Sequence, residues 1–370
     1  MIHPARSMSF AEINAGLEAA IKAGHVNMSW SFAEGLALYC YSKSCVYDRA
    51  WTPFTKMARG LILNHDRREV VATPFEKFFN IGEWDQAIPN MPFEVFEKVD
   101  GSLIVIWYYG GVWRTSTKGS FNSDQAKAAA GIIEKHDLSL LVPGHTYLAE
   151  YVSPENRIVV HYDKPELVLL GAYTDRGIEL SHEILSYLST AIGWRMAKAH
   201  TFRSISHLID HAAALPSTEE GFVIRFIDGT RLKVKGEEYK RIHRLISRCT
   251  PLAMWDAMRV GDDMTALRKE LPEEFWPDFD AITSTLSTQV NSIVREAKEE
   301  AHVTQHFTDK EVGLREGMNH KSLVFTLRKS GTLMEGRARE QIFKMVRPTG
   351  NKLEGYTPSR SINLVLDEAA

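Results

Sequence analysis

The chain has 370 residues, 44 Lys and Arg against 47 Asp and Glu, a formal net charge of −3, and 44% apolar and 25% charged residues. That balance excludes a wholly basic nucleic-acid coat, and the apolar content excludes a disordered chain. No apolar run approaches the ~20 residues that span a bilayer, so no membrane partner is expected. The length suits about two domains. The opening MIHPARSMSFAEI has no signal-peptide core, and Cys40, Cys45 and Cys249 lack metal spacing, so reduced thiols and a cytoplasmic setting are expected.

In chain order, apolar periodicity predicts a helix over 10–23 and a β-branched run predicts a strand over 59–64. Strands are predicted over 93–97 and 102–109, the latter running through the turn Gly110-Gly111 into a hairpin that ends near Thr117. A helix over 123–136, strands over 147–152 and 166–173, and a helix over 181–192 follow. Residues 221–235 read as a second hairpin about Asp228-Gly229. Beyond residue 240 the texture is helical, with Tyr239, Ile242, Leu245 and Ile246 at helical spacing, breaks at Pro251, Pro272 and Pro277, and one long helix over 279–302. The expected class is α+β: a mixed domain of antiparallel sheets with flanking helices at 1–240, then an all-helical domain at 241–370.

Several positions carry chemistry. On a strand, Lys233 and Lys235 share one face and Leu232 and Val234 the other, an arrangement that suits an anion between two ammonium groups. Lys98 stands at a strand end before the tight turn Asp100-Gly101. A lysine nucleophile must shed its proton, and its free pKa of about 10.4 falls with burial or nearby cations. Glu150 lies within a strand and Glu220 at the mouth of one, where a carboxylate needs a cation, a metal or a solvated cleft. Oxygen ligands of this kind suit Mg²⁺.

These segments together resemble the covalent nucleotidyltransferases, and in particular the phage-type RNA ligase 1 family of ATP-dependent RNA-joining enzymes. The resemblance rests on Lys98-Val-Asp100-Gly101-Ser102, Ser116-Thr-Lys118-Gly119, Glu150 with Asn156-Arg157-Ile158-Val159, Glu219-Glu220-Gly221 and Lys233-Val-Lys235. Upstream, Arg59-Gly60, the segment from Phe75 through Lys77 to Asn80, and Tyr39-Cys-Tyr41 fit the same order. It implies a nucleotidyltransferase domain whose Lys98 forms lysyl-AMP, passes AMP to an RNA 5′-phosphate, and lets a 3′-hydroxyl seal the bond, in RNA or tRNA repair. It further implies that Arg59, Lys77, Lys118, Lys233, Lys235 and Tyr39 bind ATP or its phosphates. Asp100, Glu150 and Glu220 would hold hydrated Mg²⁺ (or Mn²⁺), Asp100 alternatively orienting Lys98. Where related families place an aromatic ring on the adenine, this chain has Leu170. A DNA ligase, a capping-type transferase and a non-catalytic RNA-end-binding protein are the alternatives.

Past residue 240 only texture guides the reading. Residues 315–352 carry nine Lys and Arg against Glu316, Glu335 and Glu340, a candidate RNA-backbone patch. His302 and His306 have the spacing of a helical metal pair, but no third ligand accompanies them.

Overall fold

The computed structural model describes residues 2–83, 88–271, 273–350 and 352–358. The chain divides after Arg241 into two compact units. The strands of the first unit are β1 (Val26–Ser31), β2 (Leu36–Tyr41), β3 (Arg59–Asn64), β4 (Glu69–Ala72), β5 (Phe79–Asn80), β6 (Phe93–Glu97), β7 (Ser102–Tyr109), β8 (Val112–Thr117), β9 (Thr146–Val152), β10 (Glu166–Tyr173), β11 (Arg195–Met196), β12 (Ala199–His200), β13 (Gly221–Phe226) and β14 (Arg231–Lys235). They build three sheets of order β1-β2-β3-β4, β11-β10-β9-β7-β8 and β12-β6-β13-β14-β5. Pairing is antiparallel except for the short edge strands β11 on β10 and β5 on β14, which are parallel.

Strand alternation sorts the core into layers. In the first sheet, Ala37, Tyr39, Leu61 and Leu63 face the helices Phe10–Lys22 and Pro53–Met57, burying Ile13, Leu17 and Met57. Leu36, Leu38 and Ile62 face the other way and pack on Leu103, Val105, Trp107 and Leu148 of the second sheet. The far side of that sheet, through Ile104, Ile106, Tyr147 and Ala149, packs on the helices Asp124–Ile133 and His182–Ile192. The third sheet sets Val95, Phe222, Ile224 and Leu232 against the helix Ile205–Ala213. Its opposite face meets the second sheet through Val99, Val152, Val168 and Ala197. Glu179 reinforces that junction, accepting from Arg225 Nη1 at 2.7 Å and from Arg231.

Local signals explain where the helices start. Ser9 and Glu12 form a reciprocal capping box, and Ser123, Ser181 and Ser204 each accept from the backbone N–H three residues on. The helix Ile205–Ala213 is absent from the sequence reading, although its cap and its apolar Ile205, Leu208 and Ala212 were available as signals. Gly110 and Gly111 both adopt positive φ, at 62° and 85°, in the two-residue turn between β7 and β8. Strands β1 and β2, and the two-residue β5, β11 and β12, also escape the sequence reading; the short ones exist only through the partners that pair with them.

The second unit, in its described residues, is helical apart from an isolated bridge between Thr349 and Lys352. Its longest helix, Trp276–Val303, covers the predicted 279–302 and buries Phe279, Ile282, Leu286, Val290 and Ala297 at helical spacing. Pro251 and Pro277 sit in first turns, where a missing N–H costs nothing; Pro272 lies outside the described residues. Among the described residues no helix is long and apolar enough to cross a membrane.

One glycine is a sharp test of this packing. Gly221 opens β13 at φ 143°, and a Cβ there would stand 2.0 Å from the Val234 carbonyl oxygen. Gly221→Ala therefore strains the backbone and drives β13 from β14, at a cost of about 2 kcal/mol or more. The expected result is a thermal midpoint lower by roughly 4–8 °C; an unchanged midpoint in a thermal melt would contradict the packing described.

Candidate active site

Lys98 follows β6 directly, and its N–H donates to the Gly221 carbonyl at 2.8 Å, extending the β6–β13 ladder. Alternation puts Phe96 and Lys98 on the face opposite Val95. On β14 the same pleat sets Lys233 and Lys235 opposite Leu232 and Val234, which pack toward the helix Ile205–Ala213. The three lysines thus share one face. Glu220 precedes β13 between them: its Oε2 lies 2.7 Å from Lys98 Nζ and its Oε1 2.8 Å from Lys235 Nζ.

The Glu220 side chain has 0% exposure. Burial alone would raise its pKa, but Lys235 and Lys98 outweigh that and hold it below the usual carboxylate range. Lys233 is pushed down to about 7, first by burial and then by Lys235, Lys77 and Lys98, against the opposing pull of Glu220.

β5 brings in a second group of cations. It pairs with β14 at Leu232↔Phe79 and Lys233↔Asn80, which sets Lys77, two residues earlier, beside Lys233. The Lys77 ammonium lies over the rings of Tyr41, Trp51 and Phe79 at 5.4, 5.3 and 5.5 Å. Lys118, just past β8, lies over Tyr41 at 5.9 Å, and Arg59 over Phe78 at 5.1 Å. Arg59 Nη1 is buried with no hydrogen-bond partner. Among the described residues, no carboxylate lies within ion-pair distance of Arg59, Lys77, Lys118 or Lys233. The group is a pocket of positive charge suited to a polyanion.

The turn after Lys98 is latched from two sides. Asp100 Oδ2 accepts from the N–H groups of Val159 and Val160 at 2.9 and 2.8 Å, and Oδ1 from Tyr239 OH at 2.8 Å. Ser102 Oγ accepts from Asn156 Nδ2 at 3.1 Å, and the same amide donates to the Tyr151 carbonyl at 3.0 Å. Tyr239 also lies under Lys235, 4.9 Å from its Nζ. Glu150 is buried on β9, paired with Leu103 and Val168, and its Cγ lies close to Gly101. Leu170 is half-buried and, like Phe96 and Tyr162, packs against the cluster of Val99, Val152, Val168 and Ala197.

The structure therefore gathers Lys98, Lys233, Lys235, Glu220, Lys77, Lys118 and Arg59, with Asp100 and Glu150 at the adjoining turn. It separates Tyr39, which is buried among Ile13, Leu17 and Met57 and hydrogen-bonded to His65 at 2.7 Å. The tyrosine beside the cations is Tyr41. Both oxygens of Glu220 face lysines, and both of Asp100 accept from protein donors. No group of three His, Cys, Asp or Glu able to hold an ion directly occurs among the described residues. Trp51 and Tyr239 were missed as site residues. Trp51 carries no motif, and Tyr239 reads in sequence only as one turn of a buried helix face.

In the second unit the basic segment is partly spent on its own structure. Arg339 donates to the carbonyls of Met258 and Arg259, Lys321 to that of Gly313, and Arg328 pairs with Asp309. Arg315, Lys329, Arg337, Lys344 and Arg347 are exposed.

Residues 57–239 match the family model described as RNA ligase. A protein of Autographa californica nuclear polyhedrosis virus, named as a bifunctional polynucleotide kinase/RNA ligase, is 31% identical over 276 residues, covering 65% of this chain and 39% of that protein. One named as an RNA ligase in Thermovibrio ammonificans is 28% identical over 210 residues, covering 52% of this chain and 54% of that one. The chain thus spans about half the length, or less, of these relatives. A solved structure named as an ATP-dependent DNA ligase from Aquifex aeolicus covers 72% of this chain and 69% of its own, at 17% identity and a TM-score of 0.47. Residues 57–239, which carry the motifs in order, are similar to the RNA ligase family over just under half of the chain.

Proposed function

We propose that this chain is an ATP-dependent RNA ligase that joins a 5′-phosphate to a 3′-hydroxyl through lysyl-AMP and RNA-adenylate. The observation that carries the reading is the Lys98–Glu220–Lys235 arrangement beside four cations that lack a carboxylate partner among the described residues. In the first step Lys98 Nζ, having lost its proton, attacks the α-phosphorus of ATP. The N–P bond forms, the bond from α-phosphorus to the bridging oxygen breaks, and pyrophosphate leaves. In the second, an RNA 5′-phosphate oxygen displaces Lys98 from the α-phosphorus. In the third, the 3′-hydroxyl attacks the activated 5′-phosphate, losing its proton as AMP departs.

Each group has a task in such in-line displacements, where positioning and charge stabilisation dominate. Lys233 and Lys235 face the α-phosphate, and Glu220 keeps Lys98 and Lys235 in place before ATP arrives. Arg59, Lys77 and Lys118 take the pyrophosphate and later RNA phosphates, with Tyr41 in the place expected for Tyr39. Asp100 orients the Lys98 turn rather than binding metal. The carboxylate chemistry fits a hydrated Mg²⁺ or Mn²⁺ held by Glu150 and the nucleotide, which when bound would neutralise phosphate charge. Leu170 and Phe96 would offer apolar surface to the adenine. The domain at 1–240 is on this reading the nucleotidyltransferase, and the exposed cations of the helical domain at 241–370 add RNA-backbone contacts.

Incubation with ATP radiolabelled at the α-phosphate and a divalent metal should give a covalent protein band, lost in Lys98→Ala. GTP lanes and DNA ends separate the capping-type and DNA-ligase alternatives. Absence of a band from folded protein that is not already adenylylated would sink the ligase reading in favour of an RNA-end-binding module.

The lowered Lys233 pKa gives a second test. A phosphate beside Lys233 favours its ammonium form and returns the pKa toward about 10.5, so binding takes up a proton above about pH 7. Affinity for an α,β-methylene ATP analogue should then fall as pH rises from about 7, by up to about tenfold per unit. Lys233→Arg stays charged throughout, and the difference between the two profiles isolates this residue; coincident profiles would remove Lys233 from phosphate binding.

A further inference from the structure

We propose that Trp51 is a positioning residue that, with Tyr41 and Phe79, holds the Lys77 ammonium in an aromatic cage so that its whole charge faces a bound polyphosphate. The proposal rests on the polyphosphate reading of the cation pocket and adds to it a residue outside every motif.

Trp51 is the hub of the cage. Its ring meets Tyr41 edge-on at 5.2 Å and 79°, and Phe79 at 5.3 Å and 72°. Lys77 Nζ lies within 5.3–5.5 Å of all three ring centroids, inside the range of cation–π attraction. Burial lowers the Lys77 pKa, and Arg59 and Lys118 lower it further, while Tyr41 and Glu83 oppose them. Glu83 stays beyond ion-pair distance and accepts from the Asn80 N–H and side-chain amide.

A carboxylate beside Lys77 would hold the ammonium equally well, but it would cancel its charge and have to be displaced by the incoming phosphates. Ring faces stabilise the desolvated cation and leave its charge intact. The same choice recurs nearby: Lys118 lies over Tyr41 and Arg59 over Phe78.

The backbone around Trp51 is built to hold it. Arg49 takes a left-handed φ of 53°, and its carbonyl accepts from the Trp51 N–H at 2.8 Å. The Ala50 carbonyl accepts from Thr55 Oγ1 at 2.9 Å and from Cys45 Sγ at 3.4 Å. Thr52 then caps the helix Pro53–Met57 in a reciprocal box with Thr55. A tryptophan at such an over-specified position, between the short helices Lys43–Tyr47 and Pro53–Met57, has a fixed direction.

The test compares Trp51→Phe with Trp51→Leu in the full-length protein, each first shown to be folded by its thermal melt. Binding of inorganic pyrophosphate is measured by calorimetry, and KM for ATP and kcat by the rate of lysyl-AMP formation. Phenylalanine should keep pyrophosphate affinity within about threefold, and leucine should lose about tenfold, with KM for ATP rising and kcat nearly unchanged. If leucine does not fold, Trp51→Met takes its place. Lys77→Met, which keeps an apolar stem in the cage without the charge, should erase the difference between the Phe and Leu variants. Equal affinities for Phe and Leu, a gap that persists in Lys77→Met, or wild-type protein that binds no pyrophosphate would each overturn the cage. Pyrophosphate binding that follows the expected pattern without any lysyl-AMP formation would instead overturn the ligase reading and leave the cage standing.

Discussion

A carboxylate with no access to water, held between two ammonium groups, sets the terms for the rest of the first unit. Moving an ion out of water costs several kcal/mol even after relaxation, and only well-placed partners offset it. Glu220 meets that requirement with Lys98 on one oxygen and Lys235 on the other. The two lysines come from different strands, and Glu220 from the entry to a third. Strands β6, β13 and β14 must therefore lie in register, because a slip by one residue would turn a lysine to the opposite face. Gly221 allows this closeness, since its backbone lies where any side chain would strike the Val234 carbonyl.

The neighbouring cations follow the opposite rule. Lys77, Lys118, Lys233 and Arg59 stand together with no carboxylate within ion-pair distance among the described residues, so their mutual repulsion works against folding. Burial and like charges push the Lys233 pKa down to about 7, so part of its population has lost the proton at ordinary pH. An anion entering the pocket relieves the repulsion and restores the proton, so ligand binding and local stability become linked quantities. The charge pairing that would make the free protein most stable would also fill the pocket before a substrate could, a conflict typical of functional sites.

Much of this site was legible in the sequence, because its chemistry depends on a few residue types at short spacings. The pleat alone places Lys233 and Lys235 on one face, and the β6 strand end places Lys98. The structure also gives a physical reason for two motifs more than fifty residues apart to occur together. Asp100 and Ser102 at one end, and Asn156, Val159 and Val160 at the other, are two halves of a single hydrogen-bonded latch. Neither half satisfies its buried polar groups alone. The latch also shows what sequence alone leaves open at Asp100: a carboxylate that accepts two backbone N–H bonds and a tyrosine hydroxyl reads, in a string of letters, like one that holds an ion.

What stayed hidden has the same origin, since it depends on where the chain goes between motifs. Tyr39 and Tyr41 are interchangeable on paper. The register shift between β2 and β3 falls just after Tyr39, where Gly60 takes a φ of 102°. Upstream of it Tyr39 is packed under the helix Phe10–Lys22; downstream Tyr41 has left the packed layer and stands beside Lys77. Trp51 joins Tyr41 there by way of the short helices Lys43–Tyr47 and Pro53–Met57, whose Ser42 and Thr52 caps are ordinary local signals. No spacing rule links a tryptophan in a helix–helix turn to a lysine ahead of a two-residue strand. The link is made by β14, which carries Lys233 and also pairs with β5, fixing the approach of Lys77. The paired-lysine strand thus organises both halves of the pocket, one through its side chains and the other through its backbone edge.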